Sequence, residues 1–239
     1  MKKLIPYSRS VIVAADVPDI HTCIEIAKAV KDVPRIKAIK VGFLAGLKGL
    51  PLVVEQFRNI LGEDMVIIYD HQKAANDIPE MGPKFARELK NMHVDAAILF
   101  PFAGPKTQRV WTASCHDAGL HVIVGAVMTH DEFLQSEGGY IANDAPWQII
   151  TNAFRQGVRD FVVPGTKIEW VTKIRDWLGN NNYTLYAPGF ITQGGDITEC
   201  GKAAGPNFHA IVGGAIYEKK THEDMRAAAI EITSKLVDA

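Results

Sequence analysis

Short apolar runs recur along the whole chain, and polar segments with helical periodicity separate them. We predict that the runs are strands, because short continuous apolar runs are typical of parallel strands covered on both faces. The eight predicted strands are Ser10–Ala15, Ile36–Val41, Val66–Asp70, Ala96–Phe100, Val122–Ala126, Asp160–Val163, Tyr183–Tyr186 and Ala210–Val212.

The intervening segments place apolar residues at intervals of three and four, which predicts amphipathic helices. In the first of them, Ile20, Cys23, Ala27 and Val30 share one face. The predicted helices are Ile20–Lys31, Leu52–Leu61, Pro83–Met92, Lys106–Ala118, Trp147–Gln156, Glu169–Leu178 and Glu223–Val237, with a shorter one around Ile197–Ala204.

Eight strand–helix units without a linker or low-complexity stretch predict an α/β fold, a single (β/α)8 TIM barrel formed by residues 1–239. The alternative is an open, doubly wound sheet. Such sheets normally carry a glycine-rich turn after the first strand, whereas Asp16-Val17-Pro18-Asp19 follows here.

Charge and composition exclude several classes of partner. The net charge of −1 and the pI near 6.7 give no electrostatic reason to expect nucleic acid as a partner. We expect no membrane partner, because no apolar stretch reaches the 18 residues that a span needs. Cys23, Cys115 and Cys200 are scattered and form no CxxC pair, so we expect a reducing cytoplasmic location.

Charged and polar residues lie at the ends of several predicted strands. The carboxyl ends of parallel strands meet at one rim of a barrel, where ligands bind. The candidates are Asp16 after strand one, Lys40 in strand two, Asp70, Lys73 and Asp77 at strand three, and Thr129 after strand five. A lysine inside an apolar strand needs a paired charge, so we expect Lys40 to contact Asp70.

Two glycine-rich turns follow strands seven and eight, where barrels commonly bind phosphate through backbone N–H groups. They are Pro188-Gly189-Phe190-Ile191-Thr192-Gln193-Gly194-Gly195-Asp196 and Val212-Gly213-Gly214-Ala215. No histidine pair has metal-ligand spacing with a carboxylate, so we predict no metal site and treat His71, His130 and His209 as structural or solvated. The polar segment 131–145 is either a lid over a ligand or an irregular surface excursion.

Several motifs stand in a characteristic order along nearly the whole chain. They are Asp16; Lys40-Val41-Gly42; Asp70, Lys73 and Asp77 with Ile78-Pro79; Met128-Thr129-His130; Pro188-Gly189 with Gln193-Gly194-Gly195-Asp196; and Ile211-Val212-Gly213 with Ala215-Ile216-Tyr217. In these motifs the chain resembles the orotidine 5′-monophosphate decarboxylases. The resemblance implies a homodimer that converts orotidine monophosphate to uridine monophosphate and carbon dioxide in pyrimidine biosynthesis, without a metal or cofactor.

The resemblance also implies roles for individual residues. The catalytic residues would be Lys40, Asp70, Lys73 and Asp77, with Lys73 protonating the C6 carbanion that decarboxylation leaves. Asp77 and Ile78 would reach into the partner subunit's site. The substrate-binding residues would be Asp16, Ile78, Thr129, Pro188, Gln193, Gly194, Gly195, Gly213 and Gly214.

The sequence departs from the family pattern at two places. The family usually spaces its charged cluster D-x-K-x-x-D, whereas Asp70, Lys73 and Asp77 each stand one position further apart. The family's last strand usually ends in Val-Gly-Arg, and the arginine grips the phosphate. Here Gly214 stands in the arginine's place, so the charged phosphate clamp is absent from this position.

Two other functions remain open on the sequence alone. One is a magnesium-dependent phosphosugar enzyme of the same superfamily, such as a 3-keto-gulonate-phosphate decarboxylase or a hexulose-phosphate synthase. Ile78-Pro79 after Asp77 and Gln193-Gly194-Gly195 favour the nucleotide enzyme. The other is a barrel that binds a phosphorylated ligand without catalysis, which Gly214 supports and the retained charged cluster opposes.

Overall fold

Eight parallel strands close into a barrel in the order in which they follow one another along the chain. The structure is a computed structural model, and it describes residues 3–71 and 74–236. The strands are β1 (Arg9–Ala15), β2 (Ile36–Gly42), β3 (Val66–Asp70), β4 (Ala96–Leu99), β5 (His121–Gly125), β6 (Asp160–Val162), β7 (Thr184–Ala187) and β8 (Phe208–Val212). Parallel pairing of β1 with β8 closes the barrel, which confirms the predicted (β/α)8 fold.

Helices alternate with the strands outside the barrel. They are α1 (Ile20–Val30), α2 (Phe43–Leu61), α3 (Gly82–Asn91), α4 (Pro105–Asp117), α5 (Ala145–Arg155), α6 (Ile168–Leu178), α7 (Ile197–Ala204), α8 (Gly214–Tyr217) and α9 (His222–Ser234). None of the helices in the described part of the chain is both long and apolar enough to cross a membrane.

Helix α2 is longer than the prediction of Leu52–Leu61, because it begins directly after β2 at Phe43. The sequence pattern does not predict the first half of this helix. Gly49 has a φ of 132° inside the helix and Pro51 follows it, so the periodicity is interrupted where the two helical halves meet at a kink. The four-residue helix α8 was also not predicted, since it is too short to show a period.

Alternation along the strands divides the core into two layers, because successive side chains of a strand point to opposite faces. Ile12 and Ala14 of β1 pack inside the barrel with Ile98 and Ile211. Val11, in contrast, belongs to the larger cluster between the barrel and the helices. The interior positions nearest the carboxyl ends of the strands therefore face a common space at the rim.

Candidate active site

A cavity of about 210 Å³ opens at the carboxyl ends of the strands. Its apolar wall consists of Ala14, Ile98, Phe100, Val127, Met128, Val162, Phe190 and Ile211, and its polar or backbone lining of Asp16, Lys40, Asp70, Thr129, Pro188, Gly189, Thr192, Gln193, Gly213, Gly214 and Tyr217. Eight of the thirteen residues predicted for the site lie in this lining, on loops that are far apart in the sequence. The cavity combines one charged side with apolar walls, as ligand sites commonly do.

The charged side of the cavity is a cluster of Asp16, Lys40 and Asp70. The Nζ atom of Lys40 lies 2.9 Å and 3.0 Å from the two carboxylate oxygens of Asp16, and 3.1 Å from Oδ2 of Asp70. The side chains of Lys40 and Asp70 are 5% and 8% exposed, and that of Asp16 is 39% exposed. The expected contact between Lys40 and Asp70 is present, and Asp16 supplies a second carboxylate at the mouth.

Strand register brings these three groups together. Ala14 of β1 lies across from Lys40 of β2, and Gly42 lies across from Asp70 of β3. Lys40 and Gly42 point to the same face because they are two positions apart, and Asp16 stands two positions after Ala14. Strands β2 and β3 thus direct Lys40 and Asp70 to one point of the rim, and the turn after β1 adds Asp16 there.

Electrostatics keep the Lys40 ammonium charged despite its burial. Burial alone would lower the pKa of Lys40, but the carboxylates of Asp70 and Asp16 outweigh this effect and raise the pKa above its ordinary value of 10.5. The cluster therefore pairs one buried ammonium with the carboxyl groups of two aspartates. The sequence predicts a second cation for this side of the site.

That second cation would be Lys73, which lies outside the described residues. Asp77 and Ile78 are described, and both are exposed rather than part of the cavity of their own subunit. The backbone around them is fixed by α4, since Thr107 donates a hydrogen bond to the carbonyl of Asp77 and the Trp111 indole donates one to that of Ile78. Their proposed place in a partner's site remains a prediction.

The turn after β7 brings Thr129 and Gln193 to a common neighbour. Gly189 has a φ of 104°, a conformation that side chains resist. A Cβ atom there would lie 3.4 Å from both Oε1 of Gln193 and Cγ2 of Thr129. The side chains of Gln193 and Thr129 therefore both border Gly189, and both line the cavity.

The two glycine-rich turns differ in the state of their N–H groups. The N–H groups of Gly194 and Gly195 donate to the carbonyls of Ile191 and Gly189, both at 3.1 Å, so neither is free for an anion in this conformation. Gly213 and Gly214 line the cavity at the start of α8, where the first N–H groups of a helix have no acceptor within the helix. The turn after β8 is thus the better placed of the two for phosphate, while the roles of Gly194 and Gly195 stay predictions.

The segment 131–145 folds beside the cavity rather than over it. Phe133 and Leu134 are buried with Val127 in a small cluster, and a short 3-10 helix spans Gln135–Glu137. Lys167 donates to both Glu137 oxygens at 3.1 Å and 3.3 Å. No residue of this segment lines the cavity, so the described conformation is that of a pinned surface excursion.

Several cavity residues escaped the sequence analysis. Thr192 and Tyr217 lie within motifs that were recognised, but neither stands directly at a strand end. Phe100 follows β4, a strand with no charged residue that would indicate a site. Tyr217 could have been found from its spacing, because it stands one helical turn after Gly213 and its ring faces that glycine.

The three histidines that stand out in the sequence have local partners. Nδ1 of His209 lies 2.7 Å from the Ser10 hydroxyl inside the barrel, and burial lowers the pKa of His209 to about 3. His71 contacts the Tyr69 hydroxyl, and His130 contacts the carbonyl of Asp131. Within residues 3–71 and 74–236, no three His, Cys, Asp or Glu side chains cluster as ligands for a metal ion.

Comparisons with known proteins agree with the geometry. A curated orotidine 5′-phosphate decarboxylase from Methanococcus maripaludis is 28% identical over 217 residues, which cover 87% of this chain and 90% of that protein. The solved orotidine 5′-phosphate decarboxylase from Pyrococcus horikoshii superposes with a TM-score of 0.76 at 29% identity, covering 95% of this chain and 98% of that one. The chain is a homologue of the orotidine 5′-phosphate decarboxylases.

A further decarboxylase structure supports the fold. The orotidine 5′-monophosphate decarboxylase from Methanocaldococcus jannaschii, solved in complex with the inhibitor BMP, superposes with a TM-score of 0.81 at 23% identity, over 95% of this chain and 98% of that one. No family model matches the chain. The resemblance to the decarboxylases predicted from the sequence motifs is therefore confirmed over nearly the whole chain, at low identity.

Proposed function

We propose that this protein decarboxylates orotidine 5′-monophosphate to uridine 5′-monophosphate in pyrimidine biosynthesis. The observation that carries the proposal is the Asp16–Lys40–Asp70 cluster, in which Lys40 and Asp70 are buried. The cluster lies at the rim of a cavity in a fold that the homologous decarboxylases share. Lys73 follows Asp70 by three positions and Asp77 follows Lys73 by four, so the proposal adds Lys73 to this rim and assigns Asp77 to the partner subunit's site.

The reaction needs a cation near C6 of the pyrimidine. Loss of carbon dioxide leaves an electron pair in the ring plane, where it is poorly delocalised, so the site must stabilise it electrostatically. The Lys73 ammonium supplies that charge and then transfers its proton to C6. No metal or cofactor takes part in this sequence of steps.

Asp70 has two roles in this scheme. Its carboxylate favours the protonated form of the neighbouring lysines, because an opposite charge within a few ångströms raises the pKa of an ammonium. Buried at 6% exposure against the cavity, it also meets the substrate carboxylate at close range, and departure of carbon dioxide relieves that repulsion. Asp77 of the partner subunit completes the array from the other side.

The remaining cavity residues hold the substrate. Lys40 bridges Asp70 and the ribose hydroxyls, and Asp16 accepts a hydrogen bond from the sugar. Thr129 reads the amide edge of the pyrimidine, and Gln193 links the base to the phosphate, consistent with their places in the cavity lining. The N–H groups of Gly213 and Gly214 bind the phosphate, whose binding energy orients the base far from the bond that breaks.

We further propose that the working unit is a homodimer. Phe43, Leu44 and Leu47 lie on one face of the first turns of α2 and are 40%, 41% and 73% exposed. Ile78, at the rim end of the next unit, is 59% exposed. Exposed large apolar side chains of this kind mark interaction surfaces, and both sets lie on the rim side of neighbouring units. A cytoplasmic location is part of the proposal, supported by three buried, free cysteines.

Turnover of orotidine monophosphate, followed by the change in its ultraviolet absorbance, tests this function. We expect conversion to uridine monophosphate at the same rate with and without EDTA. Loss of activity in EDTA, restored by magnesium, would instead favour a metal-dependent phosphosugar enzyme. Tight binding of the nucleotide without conversion would favour a barrel that binds its ligand without catalysis.

A further inference from the structure

Gly42 occupies an inward-facing position whose backbone conformation does not require glycine. It is buried at the end of β2, two positions after Lys40 and directly across from Asp70. Its φ and ψ angles of −79° and 169° are those of ordinary extended chain. Conformational freedom therefore does not explain a glycine here.

The space that a side chain at position 42 would fill is taken by Asp16. A Cβ atom at Gly42 would overlap Oδ1 of Asp16 and would lie 3.0 Å from its Cγ and 3.4 Å from its Cα. The same carboxylate accepts both hydrogen bonds that Lys40 donates to Asp16. The carboxylate reaches Lys40 only because the neighbouring strand has no side chain at its last inward position.

We propose that Gly42 is a positioning residue that seats the Asp16 carboxylate against Lys40 and so shapes the sugar-binding side of the site. The proposal rests on the proposed function, because Asp16 and Lys40 are the groups assigned to the ribose. Gly42 acts only through Asp16. A methyl group at position 42 forces the carboxylate to rotate away, while the strand keeps its backbone and the fold survives.

A double-mutant cycle tests the seat. We expect Gly42→Ala to lower kcat/KM for orotidine monophosphate by roughly 10–100-fold, similar to Asp16→Ala, because each removes charge-assisted hydrogen bonds. The double variant should be no worse than Asp16→Ala alone, since an alanine at position 16 has no carboxylate to displace. Additive losses, or a Gly42→Ala variant with wild-type kcat/KM, would overturn the proposal.

Two further measurements distinguish displacement of the Asp16 carboxylate from a general loss of stability. Gly201→Ala adds a methyl group to a buried glycine of α7, beside Arg9 at the opposite end of the barrel, and should leave kcat/KM unchanged. The alkaline limb of the kcat/KM profile should move to lower pH in Gly42→Ala, because Lys40 loses a carboxylate neighbour. An unchanged alkaline limb would contradict the positioning role of Gly42.

A crystal structure of Gly42→Ala keeps the inference separate from the proposed function. We expect the Asp16 carboxylate to lie beyond about 4 Å from the Lys40 ammonium, the usual limit of an ion pair. If the pair is intact, the seating role is wrong, whatever the enzyme turns over. If the pair is broken but the wild type converts no orotidine monophosphate, the proposed function fails and the seating role stands.

Discussion

At the residue scale, the site depends on Lys40, a buried lysine whose charge needs carboxylate partners. An unpaired ammonium in an apolar strand would lose its charge or destabilise the fold. The carboxylates of Asp70 and Asp16 more than offset the effect of burial and raise the pKa of Lys40. Lys40 is therefore charged at neutral pH, and on the alkaline side the stability that its ion pairs contribute is lost as the pH rises through a value above 10.5.

At Gly214 the proposed phosphate site departs from the pattern of the decarboxylases that the sequence resembles. A charged hydrogen bond contributes roughly 1.5–3 kcal/mol, so we expect the missing guanidinium to weaken substrate use by about 10–150-fold. Gly214→Arg should therefore lower KM for orotidine monophosphate. The backbone permits this change, because Gly214 begins a helix and its φ lies outside the left-handed region.

Kinetics on the nucleotide and on phosphate-free orotidine check this prediction. A new Cβ atom would lie 2.8 Å from the exposed Glu218 carboxylate and 3.1 Å from Thr192, so both side chains must give way. The gain should appear with the nucleotide alone. An equal gain on both substrates, or no gain in a folded variant, would contradict the assignment of this position to the phosphate.

At the element scale, the excursion 131–145 is tied to the turn after β6 by a side-chain latch, the hydrogen-bonded pair of Glu137 and Lys167. Glu137 accepts from the N–H groups of Phe133 and Leu134 and binds Lys167, which also donates to the carbonyl of His130. The hydroxyl of Thr166, next in the chain to Lys167, donates to the carbonyl of Thr129. The turn after β6 therefore supports the loop that carries Thr129 into the cavity.

Glu137→Gln should loosen this latch without unfolding the barrel. We expect faster amide hydrogen exchange in residues 133–141, by about fivefold, since the lost bonds are partly exposed and contribute about 1 kcal/mol. Glu199→Gln removes a comparable but more exposed lysine pair and serves as the control. Unchanged exchange in the Glu137 variant would show that the apolar cluster alone holds the segment.

The same latch has a defined pH dependence. Although burial favours the neutral acid, the hydrogen bond from Lys167 and the backbone donors outweigh it and lower the pKa of Glu137 below 4.5. The contribution of the latch is therefore complete above pH 4.5 and is lost as the pH falls through the lower folded value. At neutral pH the segment stays pinned.

How far the sequence predicts an element depends on whether the element buries an apolar face. All eight strands were found, because their runs are apolar enough to stand out, and β8 differs most by beginning at Phe208. The first half of α2 was missed, since Gly49 and Pro51 interrupt its period. Short helices such as α8 carry too few residues for periodicity to detect.

The site was less completely predictable than the fold, for a physical reason. Charges in apolar strands are conspicuous, so Lys40 and Asp70 could be paired from the sequence alone. Other contacts depend on turn conformations, which single residues do not specify. Examples are the hydrogen bonds from Lys40 to Asp16 and those from the N–H groups of Gly194 and Gly195 to carbonyls of their own turn. Apolar lining such as Phe100 is indistinguishable in sequence from core.

At the scale of the whole molecule, the proposed site is shared between two subunits. Mixing inactive Lys73→Ala and Asp77→Ala subunits should restore about a quarter of wild-type activity. Half of the dimers would be mixed, and by two-fold symmetry each would contain one intact site and one doubly altered site. Carrying a different affinity tag on each variant and recovering the mixed dimer on both resins in turn verifies subunit exchange. No recovery after exchange would contradict shared sites.

The central claim is that Lys73 protonates C6 during decarboxylation of orotidine monophosphate, and turnover by Lys73→Ala tests it most directly. General acid catalysis is typically worth 10²–10⁴-fold, so activity should fall at least a hundredfold below wild type. The variant should retain its circular dichroism spectrum, and Lys31→Ala, at an exposed lysine, should keep full activity. A folded Lys73→Ala variant that keeps more than about a tenth of wild-type turnover would contradict the account.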